Sequence, residues 1–139
     1  MKIKTEELNL RTKGAGDLIN ITGQIEDALA KIKLMEGIVC IFVIGSTAAI
    51  TSFEYESGLI SDIKDLYEKL IPSSKSYAHD QTWGDANGFS HLRAALQGPS
   101  LVIPISSGRL SLGTWQQIVL AEFDTRPRQR NVILKFIGE

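Results

Sequence analysis

Polar and apolar residues alternate over residues 7–11, the period of a strand buried on one face only. Gly14-Ala15-Gly16-Asp17 supplies turn residues, and Leu18-Ile19-Asn20-Ile21 reads as a second strand. The period then lengthens. Ile25, Ala28, Leu29 and Ile32 recur at helical spacing, with Thr22 placed to cap the start and Gly37 to stop the chain beyond the end. Residues 38–44 form a continuous, β-branched apolar run, which predicts a central strand buried on both faces. Leu59, Ile63, Leu66 and Leu70 mark a second helix ending before Pro72. Leu92, Ala95 and Leu96 mark a shorter third, closed by Gly98-Pro99. Three strands are expected in the last forty residues, over 101–105, 112–124 and 132–137, turned at Gly108-Arg109 and at Arg126-Pro127-Arg128. Strands outnumber helices and adjoin one another, so the chain reads as one α+β domain over residues 1–139. Mostly antiparallel, sandwich-like sheets carry two main helices and one short helix.

Composition narrows the function. The chain has 139 residues, of which 43% are hydrophobic and 22% charged, so it is not a disordered polymer. Fifteen basic against sixteen acidic residues leave a net charge of −1, too little field to gather nucleic acid or anionic lipid from a distance. A chain this long buries roughly 68–70% of its unfolded surface, so a metal would serve function rather than folding. Cys40 is the only cysteine, which excludes an internal disulfide and fits a reducing compartment. The first residues lack the apolar core of a signal peptide, and the longest apolar run falls far short of the ~20 residues that span a bilayer. A cytoplasmic, soluble protein is expected.

Candidate chemistry gathers in four places. His79 and His91, the only histidines, fall in one polar segment with Asp85 and Asn87 between them. A loop that folds back would bring the imidazoles together as metal ligands or proton carriers; otherwise they are two unrelated loop histidines. Glu122 closes a strand whose two faces are both largely apolar. Buried there, a carboxylate needs a cation, a metal or a hydrogen-bond donor; reaching solvent, it needs nothing. Gly45-Ser46-Thr47-Ala48-Ala49 follows the apolar run with small side chains and hydroxyls, leaving room and amide donors for a ligand. Glu54 and Glu56 lie just beyond, two apart, on one face of any extended segment. Arg126, Arg128 and Arg130 alternate, either as a phosphate clamp or as a solvated hairpin tip. Cys40 is expected to be an inert, buried thiol.

Gly108-Arg109-Leu110-Ser111-Leu112-Gly113-Thr114-Trp115-Gln116, followed by Glu122, resembles the signature of the YjbQ-like family, also described as secondary thiamine-phosphate synthases. The resemblance runs back through Ser90-His91, Tyr77-Ala78-His79-Asp80, Ser46-Thr47-Ala48 and Glu54 to Gly37. It implies a homotrimer with a polar cleft near subunit contacts, binding a small phosphorylated or anionic metabolite. The implied activity is a weak joining of hydroxymethylpyrimidine diphosphate to thiazole phosphate, releasing pyrophosphate. His79, His91, Glu122 and Glu54 match the family's catalytic positions. His79, His91 and Glu122 would hold a divalent metal, zinc or magnesium, and converge within ligand reach. Ser46, Thr47, Asn87, Thr114 and Gln116 would line the ligand. Many relatives carry histidine where this chain has Cys40 and Gly45, so any role of those histidines is missing here.

Overall fold

The computed structural model describes residues 1–139. In chain order the elements are β1 (Lys2–Arg11), β2 (Asp17–Asn20), α1 (Thr22–Ile32), β3 (Gly37–Val43), β4 (Ala48–Glu54) and α2 (Ser57–Leu70). There follow α3 (Asp80–Trp83), α4 (Gly88–Gln97), β5 (Ser100–Ser106), β6 (Arg109–Leu110), β7 (Gln116–Glu122) and β8 (Gln129–Gly138). All strand pairs are antiparallel, in a five-stranded sheet ordered β1-β8-β3-β5-β6 and a three-stranded sheet ordered β2-β7-β4.

The small sheet is the middle layer. One face, with Ile50, Ile118 and Leu120, packs with α1 residues Ile25 and Leu29 and with Val39, Ile41, Leu134 and Phe136 of the large sheet. Its other face, with Ala49, Val119 and Ala121, packs with Tyr67 of α2 and Ala94 of α4. The alternation along residues 115–123 therefore sorts side chains into two cores, as the period of two requires. The strand buried on both faces is β7, where 38–44 had been expected. In β3 the buried Val39, Ile41 and Val43 alternate with exposed Ile38 and Phe42. The exposed positions are themselves apolar, so hydropathy hid the alternation.

Other expectations need correction at the connections. The stretch 112–124 is not one strand hairpinned to 101–105. β5 pairs with β3 on one side and with the two-residue β6 on the other, and the chain then crosses to the other sheet before β7 begins. The turn at Arg126-Pro127-Arg128 likewise joins strands of different sheets. Ala48–Glu54 is a strand, and α3 is an extra turn of helix within the histidine loop. Thr22 does not cap α1. It lies inside the helix, and its hydroxyl accepts the Ile118 N–H at 2.8 Å, fastening α1 to β7. Gly37 does more than end a helix. Its φ of 153° and its place against β8 leave no space, since a Cβ there would lie 2.1 Å from the Ile137 carbonyl oxygen.

Candidate functional site

Asp80 shapes the histidine loop. Its carboxylate accepts the Tyr77 N–H through one oxygen and the Gly88 N–H through the other, each at 2.9 Å, drawing the two ends of the loop together. Those bonds, Tyr77 first and Gly88 second, hold the Asp80 carboxyl below its ordinary range. Gly88 is needed for closure, because a Cβ there would lie 2.7 Å from Tyr77 Cβ. The result is that the His79 and His91 rings stand 4.3 Å apart between centroids, tilted by 55°. The expected convergence of the two histidines is present.

Asn87 is the hub of the loop. With Oδ1 toward His79 Nε2 at 3.1 Å, its amide nitrogen reaches Asp124 Oδ1 at 3.4 Å. Turned over, the amide donates to Asp85 Oδ1 at 3.0 Å and to His79 Nε2 at 3.1 Å. The turned orientation makes Nε2 the acceptor and the first makes it the donor, so the His79 tautomer is set by the Asn87 amide; in the first, Nδ1 keeps a free lone pair. Asp85 Oδ1 lies 4.0 Å from His79 Nε2.

Behind this loop lies a buried polar chain that joins both sheets. Glu122, with no solvent exposure, is gripped by Arg130 through Nε at 2.7 Å and Nη2 at 2.5 Å. The Thr12 hydroxyl donates to Oε2 at 2.9 Å and the Asp124 N–H to Oε1 at 3.0 Å. Arg130 Nη2 also donates to Thr47 Oγ1 at 2.7 Å, and that hydroxyl donates to Asp124 Oδ2 at 3.1 Å. Arg128 closes on the same Asp124 oxygen, Nε at 2.9 Å and Nη2 at 2.8 Å. Burial alone would push the Asp124 carboxyl up. Donation from the Thr125 N–H, the Asn87 amide in its first orientation and Thr47, with the charge of Arg128, reverses this and holds it low.

Glu122 is therefore not placed as a metal ligand. Its four acceptor positions are taken by four protein donors, and neither histidine is among its partners. Of the three fates open to a buried carboxylate, this one has met a cation. Arg130 leaves the arginine clamp for the interior, while Arg126 forms no ion pair. No group of three or more His, Cys, Asp or Glu side chains converges as a metal cage. The two imidazoles are ligand types that suit a borderline divalent ion such as zinc, but they and Asp85 do not close into a set of three. Gly45 belongs to the same arrangement: a Cβ there would lie 2.8 Å from Arg130 Nη1, so a side chain would disturb the guanidinium that satisfies Glu122.

The remaining expected residues divide. Ser46 and His91 line one cavity of about 410 Å³ with Gly45 and Pro99. Thr47 sits in the buried polar chain. Glu54 and Gln116 are opposite each other at the far end of the small sheet from Ala48 and Glu122. The two ends are six residue steps apart along the strand, about 20 Å. Glu54 lines a different cavity with Asn20, Tyr55 and Trp115. Gln116 is exposed, accepting from the Gly113 N–H and donating to Ser52 Oγ. Thr114 lies in the preceding turn. Within one chain these three do not join the histidines. Glu56 is the N-cap of α2, accepting the Gly58 and Leu59 N–H groups. Cys40 is partly exposed rather than buried. Sequence reasoning singled out neither Asp124 nor Asp80. Asp124 carried a usable signal, a second acid two residues after Glu122 and followed by alternating arginines.

A two-sheet α+β sandwich, with helices covering the outer face of its small sheet and a paired-histidine loop at one end, defines the class of protein. The chain belongs to the YjbQ-like UPF0047 family, whose model matches residues 6–139. It is similar to a UPF0047 protein of Archaeoglobus fulgidus, 43% identical over 93% of this chain and 98% of the relative. Another, from Methanothermobacter thermautotrophicus, is 40% identical over all of this chain and 95% of the relative. The crystal structure of a YbjQ-like protein of unknown function from Sulfolobus solfataricus superposes with a TM-score of 0.89 at 34% identity, covering 99% of this chain and 100% of that one. A hypothetical protein from Aeropyrum pernix gives 0.90 at 33% identity, covering 98% and 99%. No helix is long and apolar enough to cross a membrane.

Two outcomes follow from the buried chain. Arg130→Met strands a buried carboxylate and is expected to lower unfolding free energy by about 3–5 kcal/mol, as when one partner of a buried pair is removed. The double variant Arg130→Met, Glu122→Leu recovers most of that loss in urea titration; equal stability of single and double variants would contradict the assignment. Asp124 has a folded-state pKa below its unfolded value, so its contribution is present above the unfolded pKa and lost as pH falls through the folded one. Asp124→Asn should flatten the acid limb of stability below about pH 5, measured by urea midpoints. Parallel acid limbs in the two proteins would rule this out.

Proposed function

We propose that this protein binds a small phosphorylated metabolite beside His79 and His91 and acts on it by group transfer. The reaction in view is the joining of hydroxymethylpyrimidine diphosphate to thiazole phosphate. The observation that carries the reading is a cavity of about 280 Å³ lined by polar residues alone: Asp85, Asn87, Asp124, Thr125, Arg126 and Arg128. Asn87 links its wall to His79. In the reaction the thiazole nitrogen lone pair forms a bond to the methylene carbon while the carbon–oxygen bond breaks, and pyrophosphate leaves with the electron pair. The nucleophile has no proton to lose, so no base is needed on that side. The demand falls on the leaving group, whose negative charge must be neutralised. Arg126, free of an internal ion pair, is suited to that task. Arg128 is held by Asp124 in a fixed position at the same wall.

His79 and His91, with Asp85 beside them, are the residues that would hold a divalent cation, whose chemistry is charge neutralisation of the diphosphate. With Glu122 committed to Arg130, Glu122 supports this site by positioning the Thr47–Asp124 wall. Because that carboxylate is withdrawn, a second reading has support: the same cleft serves another small anionic metabolite, and the thiamine reaction is a slow side activity. The two separate on steady-state turnover. We expect thiamine phosphate formation well below about 1 per second. Turnover and bound divalent ion, measured by mass spectrometry, should both fall about tenfold or more in His91→Ala. Turnover above about 1 per second would establish the first reading as the working activity. Absence of both turnover and pyrophosphate binding would overturn it.

A homotrimer is proposed as well. The outer face of the large sheet presents Ile3, Ile38, Phe42, Ile44 and Val102 to solvent, an apolar surface suited to burial against further copies. Light scattering should give about 46 kDa, three times the 15.3 kDa chain. A monomer at micromolar concentration would refute it.

A further inference from the structure

A further cavity, of about 410 Å³ and separate from those already described, opens between α2, α4 and the turn before β2. Its volume is in the range of small-molecule sites. The edges and faces of Tyr67, Phe89 and Phe123 form its apolar wall, Tyr67 and Phe123 meeting edge to face at 4.8 Å. Arg93, only 5% exposed, lines the same space. Its Nε and Nη2 donate to the Ile71 carbonyl at 3.0 and 2.7 Å, and Nη2 also to Glu68 Oε2 at 2.8 Å. Nη1 has no partner. Arg93 Nη1 is not among the atoms sealed in the interior without a partner, so its N–H groups remain open to an acceptor entering the cavity. Lys64, at the mouth, forms no ion pair. Lys64 and Arg93 against Glu68 leave the lining with one net positive charge.

We propose that this cavity is a binding site for a small aromatic carboxylate. The ring would fill the space among Tyr67, Phe89 and Phe123, where aromatic groups gain from edge-to-face contact. The carboxylate would accept from Arg93 Nη1 and Lys64 Nζ, and its single charge would neutralise the lining. This cavity and the polar one lined by Asp85, Asn87 and Arg126 share only Thr125, so the site adjoins that cleft without using the histidines.

Isothermal titration with 2-naphthoate tests the assignment, with 2-naphthalenemethanol as the uncharged analogue. One equivalent of naphthoate should bind with Kd of about 100 µM, fair efficiency for a ligand of this size, and the alcohol at least about tenfold more weakly. Lys64→Ala should weaken naphthoate about fivefold. Ala15→Trp, at the exposed rim, should block it, with thermal melts verifying that both variants fold. Arg126→Ala should leave binding unchanged. No heat at millimolar naphthoate, equal affinity for the alcohol, indifference to Lys64→Ala and Ala15→Trp, or loss in Arg126→Ala would each overturn the proposal.

Discussion

Glu122 can lie without solvent inside this protein because Arg130 reaches it from the other sheet. Glu122 belongs to β7 of the small sheet, Arg130 to β8 of the large one, and their bidentate contact is made where the two layers meet. Thr12 arrives from the end of β1 and Thr47 from the approach to β4. Four separate segments must therefore be in register before the carboxylate is satisfied. Such a pair adds little net stability over an apolar replacement, since desolvating both charges consumes most of their attraction. Its effect is discrimination. Misaligned layers leave a charge buried and unpaired.

The functional loop inherits that alignment. Asp124 follows Glu122 by two residues, and its backbone N–H donates to the Glu122 carboxylate, so the two acids are oriented together. Asp124 in turn holds Arg128 and Thr47 on one side and lies beside Asn87 on the other. The buried interior thus meets the loop through a single residue, Asp124. The loop itself is fastened by a different acid, Asp80, whose two hydrogen bonds hold the ends of the histidine segment together. Pre-formed geometry of this kind lowers the entropic cost of binding.

Where side-chain period and burial coincide, the sequence was legible. The helices α1, α2 and α4 and the two faces of β7 followed from local spacing, while spacing left the meeting of His79 with His91 as one of two alternatives. Failures cluster where position across the sandwich matters. Ile38, Phe42 and Ile44 look like core residues because nothing local distinguishes a covered face from an open one. Gly45-Ser46-Thr47 resembled a ligand loop although Thr47 serves the interior. Arg130 was indistinguishable from its solvent-facing neighbours Arg126 and Arg128, since spacing by two places all three on one face of a strand that starts only at Gln129. Which arginine enters the core is decided by the other sheet, 8 residues away in sequence from its partner and invisible to periodicity.

The pairing of β1 with β8 has a consequence for synthesis. Lys2 stands opposite Gly138, so the first and last strands of the chain are neighbours, and β8 fills the gap between β1 and β3. As the chain emerges from the ribosome, β1 and β3 exist for the whole of translation without the strand that joins them. The large sheet cannot close until β8, residues 129–138, is free. Until then its unpaired backbone edges are open to pairing with another nascent chain. Contacts of such sequence separation also make folding slow for a chain of this size, because closure entropy is spent before the pairing rewards it. The neighbouring positions of Lys2 and Gly138 carry a compensating freedom: a short linker from β8 to β1 would let the chain be opened at another turn instead, leaving every layer of the sandwich in place.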